Sequence, residues 1–225
     1  MNKRYVNASY EITDSYSRIL IDAEEGAVRV EPSPDNFTKF VVCQKKNRPY
    51  EYFVQDDTLT IKPAKRKWFN FFSIGIDHSK INLFVPEKIY ESISVDTNVG
   101  HVDISSINCD NLTVQRNTGK LKVDNVCCIQ FEAKGNTGAT VLNNLVAKEK
   151  IKIKNNTGKV LLNDCSAPDI FAKTNTGNVC GKLPAGTMFK TNTTTGRIET
   201  PKATIGEVII GICEIKTNTG NIKFE

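Results

Sequence analysis

Hydrophobic and polar residues alternate in short runs on either side of a recurring glycine through residues 93–225. Positions five and seven before the glycine are mostly apolar, and so are positions two and four after it. Such a period of two is typical of β-strands with one buried face, because successive side chains point to opposite sides. Each unit therefore predicts two short strands joined at a glycine corner. The corner glycines are Gly100, Gly119, Gly138, Gly158, Gly177, Gly196 and Gly220.

The corners recur at nearly constant spacings of 19, 19, 20, 19, 19 and 24 residues. One unit cannot bury two narrow apolar faces alone, whereas units stacked about 4.8 Å apart align equivalent residues into one core. The sequence therefore predicts an all-β fold, a single-stranded β-solenoid (β-helix) with turns of about 19 residues. The alternative is a β-sandwich of Asn-Gly hairpins, but hairpin lengths in sandwiches vary and these spacings do not.

Six of the seven corners carry asparagine two positions before the glycine, and Gly196 carries Thr194 there. Glycine adopts the positive φ of a tight corner without a Cβ penalty, and asparagine tolerates turn geometry. Stacked asparagines also predict a hydrogen-bonded ladder between turns. The corner asparagines are Asn98, Asn117, Asn136, Asn156, Asn175 and Asn218.

Residues 93–225 form the regular repeats, and the hydrophobic pattern of residues 1–92 is less regular. Apolar residues flank Gly26 in the same frame as the later corners, which predicts an atypical first turn there. The remaining runs are short and bounded by proline and aspartate, as in hairpins. Because terminal repeats that cover a solenoid core are typically irregular, we expect a hairpin-rich N-terminal cap over 1–92, continuous with the solenoid.

The composition is that of an ordinary globular protein, with 39% hydrophobic and 24% charged residues. No apolar run approaches the ~20 residues of a membrane helix, and no secretory signal is visible. We expect a cytoplasmic or membrane-peripheral protein, extracellular only if a leader or anchor was removed. The net charge of +5 permits contact with an anionic surface without requiring it.

Seven cysteines cannot all pair within one chain, and neither Cys-x-x-Cys nor a zinc-like spacing occurs. Most lie among apolar residues, where cysteine behaves as a small hydrophobic side chain. We therefore expect reduced core thiols, a reducing compartment, and neither metal nor cofactor.

The order of the segments is similar to that of a known family. Strand-like residues 59–61 and 81–86 precede Ile93-Ser-Val-Asp-Thr-Asn-Val-Gly-His-Val102, and tandem Asn-Thr-Gly turns follow. This resembles the bacterial β-strand-repeat family labelled "putative adhesin", a domain of unknown function, over about residues 10–225. The resemblance implies a right-handed β-solenoid linked with cell-envelope proteins, and it carries no catalytic motif.

Some β-helix proteins degrade polysaccharides, a reaction that needs paired carboxylates at a controlled separation. Asp96 and Asp103 flank one corner and are the candidate pair, although such pairs more often are solvated or cap turns. No histidine triad or phosphate-binding glycine loop is evident. We therefore predict that the protein is not an enzyme, and a carbohydrate-active enzyme is the alternative.

Lysine recurs four positions before the corner glycine, in a slot that points outward. We call Lys134, Lys154, Lys173 and Lys216 the Lys column. One interpretation is a solvated surface that resists aggregation. The other is a basic stripe that contacts an anionic lipid surface or wall polymer.

A second candidate contact is a stretch that combines basic and aromatic residues. Tryptophan and phenylalanine beside cations suit a membrane interface, and the alternative is a hairpin that plugs the end of the solenoid. No nucleic acid is expected, because recognition motifs are missing and the net charge is modest. The stretch comprises Lys65, Arg66, Lys67, Trp68, Phe69, Phe71 and Phe72.

The last residues, 221–225, follow directly on a corner, which predicts an open strand edge that serves either self-association or pairing with a downstream domain. Together these features favour a non-enzymatic scaffold or binding module of a bacterial envelope-associated system. Its expected contact is an anionic surface or a protein partner. A self-assembling structural protein is the further alternative.

Overall fold

The computed structural model describes residues 5–64, 79–202 and 208–225. Every regular element in these residues is a β-strand, which confirms the all-β prediction. None of the described residues forms a helix long and apolar enough to cross a membrane.

The strands fall into an N-terminal group and a repeat group. The first comprises β1 (Tyr5–Ile12), β2 (Arg18–Asp22), β3 (Ala27–Pro32), β4 (Thr38–Lys45), β5 (Tyr50–Gln55), β6 (Thr58–Pro63) and β7 (Lys80–Val85). The second comprises β8 (Ile89–Val99), β9 (Val102–Ser105), β10 (Asn108–Thr118), β11 (Leu121–Thr137), β12 (Thr140–Thr157), β13 (Val160–Asn163), β14 (Asp169–Thr176), β15 (Val179–Lys182), β16 (Thr187–Thr195), β17 (Ile198–Glu199), β18 (Gly211–Thr219) and β19 (Ile222–Phe224).

The repeat strands stack in parallel, and equivalent residues of successive units are neighbours. Leu112, for example, pairs with Ile93 on one side and Phe131 on the other. All three side chains are almost fully buried, as the apolar slots of the sequence predict. The result is a β-solenoid-like stack with one continuous core. The handedness of the coil stays a prediction.

The predicted asparagine ladder is present along one edge of the corners. Asn117 Nδ2 donates to Asn98 Oδ1 over 3.0 Å, and Asn136 donates to Asn117 over the same distance. Asn156 and Asn175 continue the series at 2.9 and 2.7 Å. The ladder ties five successive turns together through side chains as well as backbone.

A second corner, which the sequence analysis missed, lies six residues after each of four corner glycines. Ser106, Asn125, Asn144 and Asp164 adopt φ values of 55, 55, 49 and 51°. Short polar side chains tolerate this left-handed conformation better than other non-glycine residues. Their recurrence at the glycine spacing was the available sequence signal.

The first turn in the chain, formed by β2 and β3, pairs with strands that lie much later in the sequence. β2 pairs with β8, so that Ile19 lies beside Ile93, and β3 pairs with β9, so that Val28 lies beside Val102. β6 and β7 form the next layer outward. The antiparallel pairs β1–β4, β4–β7 and β5–β6 complete this end of the molecule.

The last turn of the chain is inserted inside the stack. β18 pairs with β14 on one side and with β16 on the other, and β19 likewise lies between β15 and β17. The predicted open edge at residues 221–225 is therefore wrong, because Ile222 and Phe224 are buried within a doubly paired turn. Among the described residues, the free edge at this end is formed by β16 and β17 instead.

Four of the cysteines are buried in the core: Cys109, Cys128, Cys165 and Cys213. Burial raises the pKa of Cys109, Cys128 and Cys213 to about 12 and that of Cys165 to about 11. These groups therefore stay protonated thiols at neutral pH and pack as small apolar side chains.

Candidate functional site

The Lys column occupies four adjacent turns. Lys154 pairs in register with Lys134 and Lys173, and Lys173 pairs with Lys216. In chain order Asn192 would follow Lys173, but the inserted turn places Lys216 there and moves Asn192 to the far side of Lys216. At about 4.8 Å per turn, the four Cα atoms span about 14 Å.

Three residues of the Lys column, Lys134, Lys154 and Lys173, line one wall of an open groove of about 650 Å³, and residues of the asparagine ladder line the other. The floor between the walls consists of residues three positions before the corners, among them Arg116, Gly135 and Asn155. The groove therefore presents amines along one side and amide groups along the other. Both groups can donate hydrogen bonds to anionic oxygens.

The charges of the column are only partly compensated by carboxylates. Lys134 Nζ lies 3.4 Å from Glu132 Oε1, and Lys216 Nζ lies 2.6 Å from Glu214 Oε1. Lys154 and Lys173 form no ion pair with any residue that the structure describes. The two central lysines are thus the ones most available to an anionic ligand.

One residue of the groove floor is a buried arginine. Arg116 is 4% exposed, and its Nη2 donates to Thr140 Oγ1 over 2.6 Å and to Asn155 Oδ1 over 3.2 Å. Its Nε donates to the Gly119 carbonyl oxygen over 3.0 Å. Burial lowers the pKa of Arg116 to about 10, so the guanidinium is charged at neutral pH. No carboxylate among the described residues pairs with it, so its charge adds to that of the groove.

Gly135 makes room for this arginine. A Cβ at Gly135 would lie 2.8 Å from Arg116 Cζ and 2.9 Å from Asn155 Oδ1. The sequence analysis missed both Arg116 and Gly135. The available signal was a glycine outside the corner positions, which occupies the same inward slot as Arg116 one turn later.

The groove ends at an acidic pair. Asp96 lines the groove and pairs in register with Asp22 on the adjacent strand. Burial, and then the charge of Asp22, raise the pKa of Asp96 above its usual value. This row of equivalent slots thus runs from carboxylates at one end to the Lys column at the other.

Replacing Asp96 with asparagine is expected to stabilise the protein at neutral pH. A raised folded-state pKa means that ionisation of Asp96 costs stability as the pH rises from about 4 through that pKa. The amide removes this cost, and we expect a gain of about 0.2–1 kcal/mol at pH 7 that vanishes near pH 3. Urea unfolding at both values of pH measures it, with the exposed Asp14→Asn as control. A less stable Asp96→Asn protein at pH 7 would contradict the assignment.

The structure does not assemble the predicted carboxylate pair into one cavity. Asp96 faces the groove, whereas Asp103 lines a separate cavity and forms an ion pair of 3.7 Å with Arg29. Within residues 5–64, 79–202 and 208–225, no group of three His, Cys, Asp or Glu residues is arranged to hold a metal ion. The predicted aromatic and basic stretch lies outside the described residues and stays a prediction. It comprises Lys65, Arg66, Lys67, Trp68, Phe69, Phe71 and Phe72.

Several solved structures of bacterial proteins have a similar fold. A "putative adhesin" of Bacteroides fragilis is 20% identical, with a TM-score of 0.57, and the match covers 100% of this chain and 98% of that one. A "putative adhesin" of Parabacteroides distasonis is 13% identical, with a TM-score of 0.55 and coverage of 99% and 98%. A "putative lipid binding protein" of the same species is 14% identical, with a TM-score of 0.56 and coverage of 100% and 98%. At these identities the similarity shows the fold alone.

None of these three proteins is named as an enzyme. A comparison with curated proteins gave no match. The model of the Toastrack DUF4097 family matches residues 16–225, nearly the whole chain. This match and the adhesin-named structures confirm the resemblance inferred from the tandem Asn-Thr-Gly turns. The chain belongs to the Toastrack DUF4097 family.

Proposed function

We propose that the chain is a non-enzymatic binding module of a bacterial envelope-associated system, which contacts an anionic surface or polymer through the groove. The observation that carries the proposal is the Lys column, four lysines on adjacent turns, three of which line one wall of that groove. The names of the structural neighbours, adhesin and lipid-binding protein, are in keeping with a binding role. A cytoplasmic or membrane-peripheral location is part of the proposal.

The arrangement of the lysines favours binding over simple solubility. Like charges on directly paired residues destabilise a sheet, so four in succession have a cost that a solvated surface does not require. Lysine protects β-sheets from aggregation chiefly at their edges. Each strand that carries the Lys column is instead paired on both sides, so edge protection does not account for it.

The charge environment makes anions the matching ligand class. Lys154 and Lys173 lack ion-pair partners among the described residues, and Arg116 adds a buried guanidinium to the floor. Each lysine near an anionic surface contributes about 1 kcal/mol at low salt. The four together therefore support an affinity that falls as salt is added.

The proposal is tested with inorganic polyphosphate, a soluble polyanion, in a titration followed by fluorescence anisotropy. Changing all four residues of the Lys column to glutamine is expected to weaken binding about 100-fold or more at low salt. The matched control changes four exposed lysines elsewhere to glutamine and alters the net charge equally. The control set is Lys46, Lys120, Lys159 and Lys182. Equal losses in both proteins would show that only the net charge matters, which would refute a specific site.

A further inference from the structure

The segment that leads into β18 exposes four large aliphatic side chains. Val208, Ile209, Ile210 and Ile212 are 78, 53, 49 and 37% exposed. Single exposed apolar residues are common on soluble proteins, but four within five residues form a contiguous apolar surface. We call these four residues the apolar patch.

The apolar patch is continuous with the face that carries the Lys column. Ile212, Glu214 and Lys216 alternate with buried residues along β18 and therefore share its outer side. Four residues of strand separate Ile212 from Lys216, a distance of about 13 Å. The Ile210 amide donates to the Gly186 carbonyl oxygen over 3.0 Å, which fixes the segment beside the start of β16.

A phenylalanine lies between the two parts of this face. Phe171 pairs in register with Glu214, and Lys216 Nζ lies 5.8 Å from the centre of its ring. The lysine amine thus lies above a half-buried aromatic side chain, next to the apolar patch. The surface changes from aliphatic to aromatic to cationic along one strand direction.

The same outer face carries most of the protein's excess positive charge. It consists of the residues four, six and eight positions before the last five corner glycines, and seven lysines and three carboxylates occupy these positions. The lysines are Lys134, Lys150, Lys152, Lys154, Lys173, Lys190 and Lys216, and the acids are Glu132, Asp169 and Glu214. Each of the three acids forms an ion pair with one of these lysines.

From these features we infer that this face docks onto an anionic lipid surface. The apolar patch enters the interface between headgroups and acyl chains, and the Lys column contacts the anionic headgroups. The inference rests on the proposed function and narrows its ligand to a membrane. A soluble polyanion would neutralise the lysines but leave the apolar patch in water, whereas a bilayer interface accommodates both.

Flotation with vesicles tests the inference. Neutral vesicles contain phosphatidylcholine alone, and anionic vesicles contain phosphatidylcholine with phosphatidylglycerol. The wild-type protein is expected to float with the anionic vesicles only. Val208→Ser with Ile209→Ser is expected to lower its partition coefficient about tenfold or more, because binding scales with inserted apolar area. Its affinity for polyphosphate should be unchanged, since the Lys column is intact.

The matched control removes two equally exposed apolar side chains elsewhere. Phe37 and Ile89 are 55 and 70% exposed, and Phe37→Ser with Ile89→Ser should leave vesicle binding unchanged. Should the Val208 and Ile209 pair impair folding by circular dichroism, Val208→Ser alone serves as the second variant, expected to lower partition several-fold.

The outcomes separate the inference from the proposed function. Vesicle binding that survives the serine changes, or that is equal on neutral vesicles, overturns the membrane inference while polyphosphate binding still supports the proposed function. Polyphosphate binding that survives glutamine in the Lys column overturns the proposed function itself. Loss of vesicle binding in the Phe37 and Ile89 control also overturns the inference, because apolar content rather than position would then decide.

Discussion

Gly119→Ala is expected to lower the unfolding temperature by at least about 8 °C, or to prevent folding altogether. Gly119 has a φ of +137°, a conformation that residues with a Cβ rarely adopt. An added Cβ would lie 1.8 Å from the carbonyl oxygen of Gly100 on the adjacent turn. That oxygen belongs to the backbone and cannot rotate away. The two turns would therefore have to separate, at a cost of about 4 kcal/mol or more.

The control for this change is Lys120→Ala, one residue further along the chain. Lys120 is exposed, so its truncation should shift the unfolding temperature by no more than about 2 °C. Thermal unfolding followed by circular dichroism compares the two proteins. If the Gly119→Ala protein had the same unfolding temperature as the control, the corners would not be in close contact.

The close contact at the corners explains why so much of the fold was predictable. The same contact recurs one turn later, because a Cβ added at Gly138 would lie only 2.0 Å from the carbonyl oxygen of Gly119. Every turn must therefore place glycine at the same point, and the sequence records that requirement at a constant spacing. The inward apolar slots and the asparagine ladder follow from the same register.

The order of the last turns was not predictable from spacing alone. The repeat pattern identifies equivalent positions, but any two turns with the pattern can pair. The turns differ in how well their residues tolerate exposure at the end of the stack. The turn at the free edge carries Thr191 and Thr200 in slots where interior turns mostly bury apolar residues, whereas the last turn of the chain carries the apolar Ile215.

The candidate site was predictable in part for the same reason. The outward slot identified the lysines, but the contact between Lys173 and Lys216 depends on the inserted turn, which spacing does not reveal. Arg116 was missed because the slot three positions before the corner shows no regular pattern of residue types along the sequence. The guanidinium fits into the groove floor because Gly135 has no side chain. Packing against Arg116, and not a corner, is what requires glycine at this position.

Ile215→Asp is expected to unfold the last turns of the stack, whereas Thr191→Asp at the equivalent slot is tolerated. Ile215 is fully buried between Ala172 and Thr191, so an aspartate there would place a charge inside the core. We expect a cost of about 4 kcal/mol or more for Ile215→Asp. Thr191 lies in the end turn and is half-exposed, so its replacement should cost no more than about 1 kcal/mol. Urea unfolding measures both, and hydrogen exchange of residues 187–199 shows where protection is lost.

If the turns were instead stacked in the order of the chain, the opposite result would be expected. The turn of Thr191 would then lie inside the stack and that of Ile215 at its end. A cysteine pair decides between the orders independently of stability. Lys173 and Lys216 pair directly, so Lys173→Cys with Lys216→Cys should form a disulfide on mild oxidation, identified by peptide mass. Lys173→Cys with Asn192→Cys should not, because two steps of about 4.8 Å exceed the roughly 7 Å that a disulfide spans. A disulfide in the second pair and none in the first would establish chain order, and with it an interrupted Lys column.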